Sequence, residues 1–422
     1  MTLEEIVQGG LCIGCGLCSS VAGADRIQIV LTPEGRERPL ARRPLDAATL
    51  ERINAICPGT RVEGAAEPPA AVDPAAAGAA ASRAAQDVVW GRAEALAIGY
   101  AGDPTVRHRA STGGVLTALG QFLLASGRAK FLLHVTASAG EPMRTERTLS
   151  FDAASVLEAA GSRYGPAAPL KDFSALLDRG EAFALIAKPC DIAAVRNLAH
   201  IDPRVDRYLR YALTFVCGGA SDLTKSEEVA SACGIRHGEL ALFRYRGYGN
   251  PGPTRLQTHG GRTVDLTYQQ MWQDEATWRI QARCKICPDA IGESADLAAS
   301  DVWPGGGPSG EDAGFNGIIV RSLRGLELYR AAVAAGAIVV EPRAVGFRDF
   351  DVFQPHQVRK KRAVWARLAG MKAGGRAVPA TINLRLAECA RLNSLAENLD
   401  EARGARRRAR AGTLGEPPAG PR

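Results

Sequence analysis

The sequence predicts an α/β protein in two unequal parts, a small cysteine-bearing unit followed by a larger α/β body. Three observations lead there. Residues 63–85, EGAAEPPAAVDPAAAGAAASRAA, are almost all Ala, Pro and Gly with few large side chains, so they bury little and read as a linker. Beyond them, strand-like and helix-like segments alternate, the pattern of an α/β domain. Before them lies LCIGCGLCSSVAG, with Cys12, Cys15 and Cys18 in C-x2-C-x2-C spacing.

The bulk properties suit a globular chain. With 422 residues it holds roughly two or three domains. A hydrophobic share of 46% and a charged share of 23% are ordinary for a folded soluble protein. MTLEEIVQGG carries two acids and no basic cluster, unlike a secretory leader. GVLTALGQFLLASG is too short and too interrupted for a membrane span. The expected location is therefore cytoplasmic, where ten cysteines argue for metal binding or redox chemistry over disulfides. Aromatic residues are 6% and no reader motif occurs, which sets nucleic-acid binding aside.

Within the body, ALAIGY (95–100) leads to the helical VLTALGQFLLAS (115–126), and FALIA (183–187) leads through KPCD to IAAVRNLA. YALTFVC (211–217) ends in a glycine pair, and GIIVRS (317–322) runs into LELYRAAVAAG and then AIVVEP. No repeat of solenoid period occurs. The net charge of +7 gathers late, in RKKR (359–362) and RGARRRAR (403–410). A solvated basic face ending in a disordered tail is one reading; a docking surface for an acidic electron-transfer partner is the other. The expected division is 1–62 cysteine module, 63–87 linker, 88–350 body, 351–400 basic extension and 401–422 disordered tail.

The first cysteine run begins as a bacterial ferredoxin motif and then departs from it. Ala22 and Gly23 stand where a fourth Cys and a Pro are expected. In two-cluster ferredoxins that fourth Cys ligates the other cluster, so its loss leaves this one intact. The missing thiolate is supplied by Cys57, which precedes Pro58, and no second C-x2-C-x2-C run precedes it. The module thus reads as ferredoxin-like with one [4Fe–4S] cluster on Cys12, Cys15, Cys18 and Cys57. Thiolates are soft ligands suited to iron–sulfur, and a zinc ribbon would use two separated C-x2-C pairs instead.

RCKICPD (283–289) adds Cys284 and Cys287, again before Pro. A pair cannot hold a cluster alone. Cys190 and Cys217 are the best additional ligands, because each stands where a strand gives way to a loop, the edge on which α/β proteins build sites. Their alternative role is as small buried residues. Cys389, in LRLAECARL, reads as packing, and Cys233 is unassigned. HRASTGGVLTALGQFL places Ser111, Thr112, Gly113 and Gly114 before an apolar helix, a cap or a phosphate-binding turn with Arg107 and Arg109 nearby. One-electron clusters need a two-electron partner, which a flavin nucleotide provides.

STGGVLTAL (111–119), GSRYGP (161–166), KPCDIAAVR (188–196), FVCGG (215–219), CKICPD with ADLAASDVW (284–303) and GFNGIIVRS (314–322) together resemble the coenzyme F-420 hydrogenase/dehydrogenase beta-subunit family. That family also takes in 7-hydroxymethyl chlorophyll a reductase and ferredoxin-type divinyl chlorophyllide vinyl reductase. The resemblance implies FAD and one or two [4Fe–4S] clusters, the second carried by motif on Cys190, Cys217, Cys284 and Cys287. It implies FAD contacts from Ser111, Thr112, Gly113, Gly114, Ser162, Tyr164 and Lys188, with Asp296, Asp301 and Asn316 near the site. Lys188, at a strand end, would stabilise an anionic reduced flavin. Gly218 stands where the family pattern has His after the Cys, so no proton donor is named.

The expected function is an iron–sulfur flavoprotein oxidoreductase. It passes electrons between ferredoxin or a partner subunit and a small organic acceptor such as a deazaflavin or tetrapyrrole. The alternative is a non-catalytic electron-transfer subunit of a larger hydrogenase or dehydrogenase.

Overall fold

The computed structural model describes residues 1–65, 85–272, 274 and 277–422. Most of the Ala/Pro stretch expected as a linker, residues 66–84, lies outside the described residues.

An eight-stranded mixed sheet organises the body, in the order Ile338–Val340, Ala95–Ala101, Asn316–Val320, Leu297–Asp301, Leu209–Phe215, Phe183–Ile186, Phe131–Ala137, Thr145–Ser150. The strands Leu297–Asp301, Leu209–Phe215, Phe183–Ile186 and Phe131–Ala137 run parallel, so their carboxyl ends share one edge. Asn316–Val320 is antiparallel to Leu297–Asp301, with Asn316 opposite Asp301, so its first residue lies on that edge too.

Alternate side chains feed opposite faces, as strand geometry requires. Phe131, Leu133, Phe183 and Leu185 enter one core with the helix Pro189–Ala199. Leu132, Ala184, Leu213, Leu297 and Ile318 enter the other, beneath the helices Val115–Ala125 and Leu323–Ala334. A separate three-stranded antiparallel sheet, Leu240–Arg244, Thr254–Thr258 and Thr263–Leu266, flanks the body.

The first sixty-odd residues pack against the body, Leu3, Leu11 and Ile53 sharing a core with Val364, Leu386 and Leu414, and Ile13 and Leu17 with Phe131 and Phe183. Thr2 and Glu5 make a reciprocal capping box on the helix Leu3–Gln8. Strands Ile27–Leu31 and Glu37–Ala41 pair antiparallel. Asp46 caps the helix Ala47–Ile56, and Cys57 ends it in an extended conformation.

Of residues 401–422, expected to be disordered, 401–410 lie in a helix. The helix Leu395–Arg410 opens on a Ser394–Glu397 capping box and carries arginines in its last turn, both favourable to its dipole. Ala405 and Ala409, four apart between the arginines, are buried with Val364 and Leu368 of the helix Pro355–Ala373. The four-residue spacing puts alanine on one face and charge on the other, which a count of arginines does not reveal. RKKR is not uniformly solvated either: Lys361 is buried, bonded to the Pro288 carbonyl at 2.7 Å and ion-paired with Glu293.

Candidate functional site

Cys12, Cys15, Cys18 and Cys57 are drawn together by tight local turns. Gly14 and Gly16 sit at φ +73° and +85°, and a Cβ at Gly14 would strike the Glu37 carbonyl. The loop bends so that the Gly14 N–H donates to Cys12 Sγ at 3.3 Å, and the Gly59 N–H to Cys57 Sγ at 3.3 Å. Burial raises the Cys15 and Cys18 thiols well above their ordinary range, with Cys57 acting on both. Burial, then the charge of Cys12, pushes Cys57 up to about 11. Ala22, where the ferredoxin pattern has Cys, packs against an apolar cluster that includes Leu3, Leu11 and Ile27.

Cys190, Cys217, Cys284 and Cys287 surround a small cavity with Lys188 on its rim. Cys190 lies in the first turn of Pro189–Ala199, and Cys217 follows the strand Leu209–Phe215. The Ala220 N–H donates to Cys284 Sγ at 3.4 Å. Burial, then the neighbouring Cys284, pushes Cys217 up to about 12. Lys188 pairs with Asp191 at 2.8 Å; burial opposes its charge, but Asp191 and the thiols outweigh this and raise its pKa. Gly218 is exposed, with nothing within 4 Å of where a Cβ would lie.

The two sets share a wall. Ile13, between Cys12 and Cys15, lines the cavity of the second set. Arg283, beside Cys284, donates to the Pro58 carbonyl at 2.9 Å, next to Cys57. Among the described residues, no three His, Cys, Asp or Glu side chains close on one point tightly enough for a single metal ion. A lone zinc would need its sulfurs about 2.3 Å from one centre. The donor sets, four thiols each with backbone N–H groups turned toward sulfur, fit an iron–sulfur cluster, whose four cysteines bind separate irons. Cys389 is fully buried and its thiol donates to the Val88 carbonyl, a packing role, and Cys233 ends a helix elsewhere.

The residues expected near a flavin divide into three groups. Ser111, Thr112, Ser162, Tyr164, Asp301 and Asn316 converge on one region, organised by a residue the sequence did not single out. Arg246, 3% exposed, donates to the Ser111 carbonyl at 2.8 Å, to Asp301 at 3.0 Å and to the Tyr164 hydroxyl at 3.3 Å. Ser111 Oγ in turn accepts the Ser162 N–H at 2.7 Å. The Arg246 guanidinium lies 4.6 Å over the Trp303 ring. Lys188 stands apart at the second cysteine set. Asp296 lies at the opposite end of its strand from Asp301, where it accepts from Arg196, the Ala212 N–H and Ser322, which is a structural tie.

The Ser-Thr-Gly-Gly turn is held from within. Gly114, not Ser or Thr, is the helix cap, and it makes no side-chain cap bond. Asn316 Oδ1 accepts the Val115 N–H at 3.1 Å instead, while its Nδ2 donates to Thr112 Oγ1 at 2.7 Å. A Cβ on Gly113 would lie 2.7 Å from the Asn316 nitrogen, so this glycine permits close backbone packing against the sheet. Near Arg246, Trp303 Nε1 and Asn250 Oδ1 are buried with no hydrogen-bond partner; Ser300 Oγ, also unpartnered, faces the other side of the sheet toward Gly317 and Phe350. Orphaned donors and acceptors beside a buried arginine and aromatic rings fit the edge of a planar heterocyclic cofactor.

This region is tied to the second cysteine set. Gln354 and Gln357, three residues apart, donate to the Asp301 and Cys217 carbonyls, each at 2.9 Å. A broad surface cavity bounded by Thr2, Glu4, Arg42 and Arg43 contains none of these groups. Sequence reasoning also missed Arg38, which donates to Gln281 at 2.9 Å between the two sets. Nothing distinguishes a buried arginine in ERPLA, or in RYRGYGNPG, from a surface one.

Two family models match in order. Residues 97–173 match the N-terminal model of the coenzyme F420 hydrogenase/dehydrogenase beta subunit, and residues 180–345 match its C-terminal model. The chain belongs to this family. Its fold is also that of a chain in the xenon-derivatised F420-reducing [NiFe] hydrogenase complex from Methanosarcina barkeri. That likeness has a TM-score of 0.54 at 17% identity, over 70% of this chain and 98% of the other. No curated protein matches the chain significantly. Membership places the chain among redox proteins, and the α/β fold expected from the sequence is the family's. Among the described residues, no helix is long and apolar enough to cross a membrane.

Proposed function

We propose that the chain is an FAD- and [4Fe–4S]-dependent oxidoreductase. It exchanges electrons between a reduced ferredoxin or redox partner subunit and a conjugated organic acceptor. The observation that carries this reading is the shared wall: two sets of four cysteines, built from distant parts of the sequence, lie back to back, and the second is linked to the Arg246 region.

In this reading Cys12, Cys15, Cys18 and Cys57 hold one cluster, and Cys190, Cys217, Cys284 and Cys287 the other. Arg246 and Trp303 flank the flavin, with Ser111, Tyr164 and Asp301 holding Arg246 in place and Ser162 bonded to Ser111. Bound there, clusters supply one-electron transfer and a flavin couples it to two-electron chemistry. Lys188 keeps a positive charge beside Cys190 and Cys217, and the apolar residues around Ile13 exclude water between the two sets.

A second reading, an electron-transfer subunit of a larger complex, is favoured by the family description, which names a beta subunit, and by the hydrogenase complex that shares the fold. The test is turnover by the isolated chain. Anaerobic protein given an artificial one-electron donor should reduce a deazaflavin or a tetrapyrrole without a partner. Reduction of its own chromophores with no turnover until a partner is added would support the subunit reading. A chromophore that no donor bleaches would remove both.

A further inference from the structure

One buried ion pair lies between the cysteine sets and takes no part in the account above. Arg38, on the strand Glu37–Ala41, is fully buried. Its Nη1 donates to the Glu37 carbonyl at 2.8 Å and lies 3.3 Å from where a Gly14 Cβ would be, beside the N–H that serves Cys12. Its Nη2 donates to Gln281, which lines the second cavity and accepts the Cys284 N–H at 3.0 Å. Its Nε and Nη2 are gripped by the two oxygens of Glu416, at 2.6 and 2.7 Å.

Glu416 arrives from far along the chain. The segment 411–422 crosses the cysteine module: Leu414 is buried in the same apolar cluster as Cys12, and its carbonyl occupies the place of a Gly10 Cβ. The Glu416 N–H donates to the Gln8 carbonyl at 3.1 Å, and the Arg422 N–H to the Leu31 carbonyl at 2.7 Å. The segment is a strap whose one buried carboxylate is held bidentate by Arg38 and also pairs with Arg36 at 3.4 Å, itself bound to Asp222.

We propose that Arg38 is a counter-cation shared by both cysteine sets. Glu416, delivered by the strap, sets how much of that positive charge the sets feel. The inference rests on the cluster reading above. Charges in a dry interior are screened far less than at the surface, and iron–sulfur potentials respond to net charge and hydrogen bonding around the sulfurs. A cation between two such centres favours the reduced state of both, and a carboxylate bound to it withdraws much of that effect. Both residues are positioning groups that touch no acceptor.

The experiment uses the full chain, purified anaerobically, with potentials read by redox titration under electron paramagnetic resonance and iron and sulfide measured per chain. Glu416→Gln keeps an acceptor for Arg38 but removes the charge. It should retain full iron and raise the potentials of both centres, by about tenfold in the reduction equilibrium, ~59 mV for one electron. The double variant Arg38→Gln/Glu416→Gln leaves no charge buried alone, and both potentials should fall below those of Glu416→Gln. Glu416→Gln with full iron and unmoved potentials, or with one centre moved alone, overturns the proposal. So does loss of iron from that variant, which would make the pair a clasp only. Native protein without iron and sulfide would instead sink the cluster reading itself.

Discussion

Replacing Asn316 by Ala tests the geometry that fixes the Ser-Thr-Gly-Gly turn. Asn316 is 7% exposed and its amide makes three bonds: it accepts from the Val115 N–H and donates to Thr112 Oγ1 and to the Ser300 carbonyl at 3.0 Å. The Thr112 hydroxyl can rotate to another partner, but the Val115 N–H and the Ser300 carbonyl are left buried and unpaired. Each such orphan costs about 1–3 kcal/mol, so the substitution should cost about 2–6 kcal/mol in total. Equilibrium urea denaturation measures the sum. Hydrogen exchange localises it, because the first amides of Val115–Ala125 lose their tether: ~2 kcal/mol corresponds to roughly 30-fold faster exchange there. A loss below about 1 kcal/mol, or unchanged exchange at Val115 and Ala118, would refute the claim that Asn316 caps this helix.

Two further expectations concern buried charge. Lys361→Met leaves Glu293 with Arg385 alone and strips the Pro288 carbonyl, one residue beyond Cys287, of its donor. It should destabilise the chain by about 3 kcal/mol, and iron retention through a chelator challenge should fall; unchanged retention would detach this network from the second cysteine set. His134 is buried against Ser150 Oγ at 2.8 Å, and burial lowers its pKa from 6.5 to about 4. Between those values the unfolded chain binds the proton and the folded chain does not. The stability from a neutral His134 is therefore complete above pH 6.5 and lost as pH falls toward 4, by about 3 kcal/mol. Chemical denaturation across that window should show the slope in the native chain and a flatter one in His134→Gln.

The parts of this molecule legible in its sequence are those where chemistry fixes spacing. Cys12, Cys15 and Cys18, the pair Cys284 and Cys287, and the Cys-Pro steps at Cys57 and Cys287 stand out in residue order, whereas Cys190 and Cys217 carry no such interval and are marked only by strand ends and the family resemblance. Strand and helix alternation is equally plain in ALAIGY, FALIA and GIIVRS, because neighbouring residues such as Ala184 and Leu185 face opposite cores. What was not legible depends on partners distant in the chain. Arg246 and Arg38 look like surface arginines until the elements that surround them are placed. Asp296 and Asp301 are indistinguishable as residue types, yet they lie at opposite ends of one strand and only the second reaches the Arg246 region. The arginine-rich end read as disordered because charge was counted without regard to Ala405 and Ala409, whose spacing builds the buried face.

The measurement that bears most directly on the central claim is the iron, acid-labile sulfide and flavin content of anaerobically purified protein, compared with Cys57→Ser and Cys190→Ser. Two four-cysteine clusters and one flavin predict about eight iron atoms per native chain, and roughly half that number in each variant. Zinc in place of iron, or about four iron atoms lost in only one of the two variants, would contradict the account.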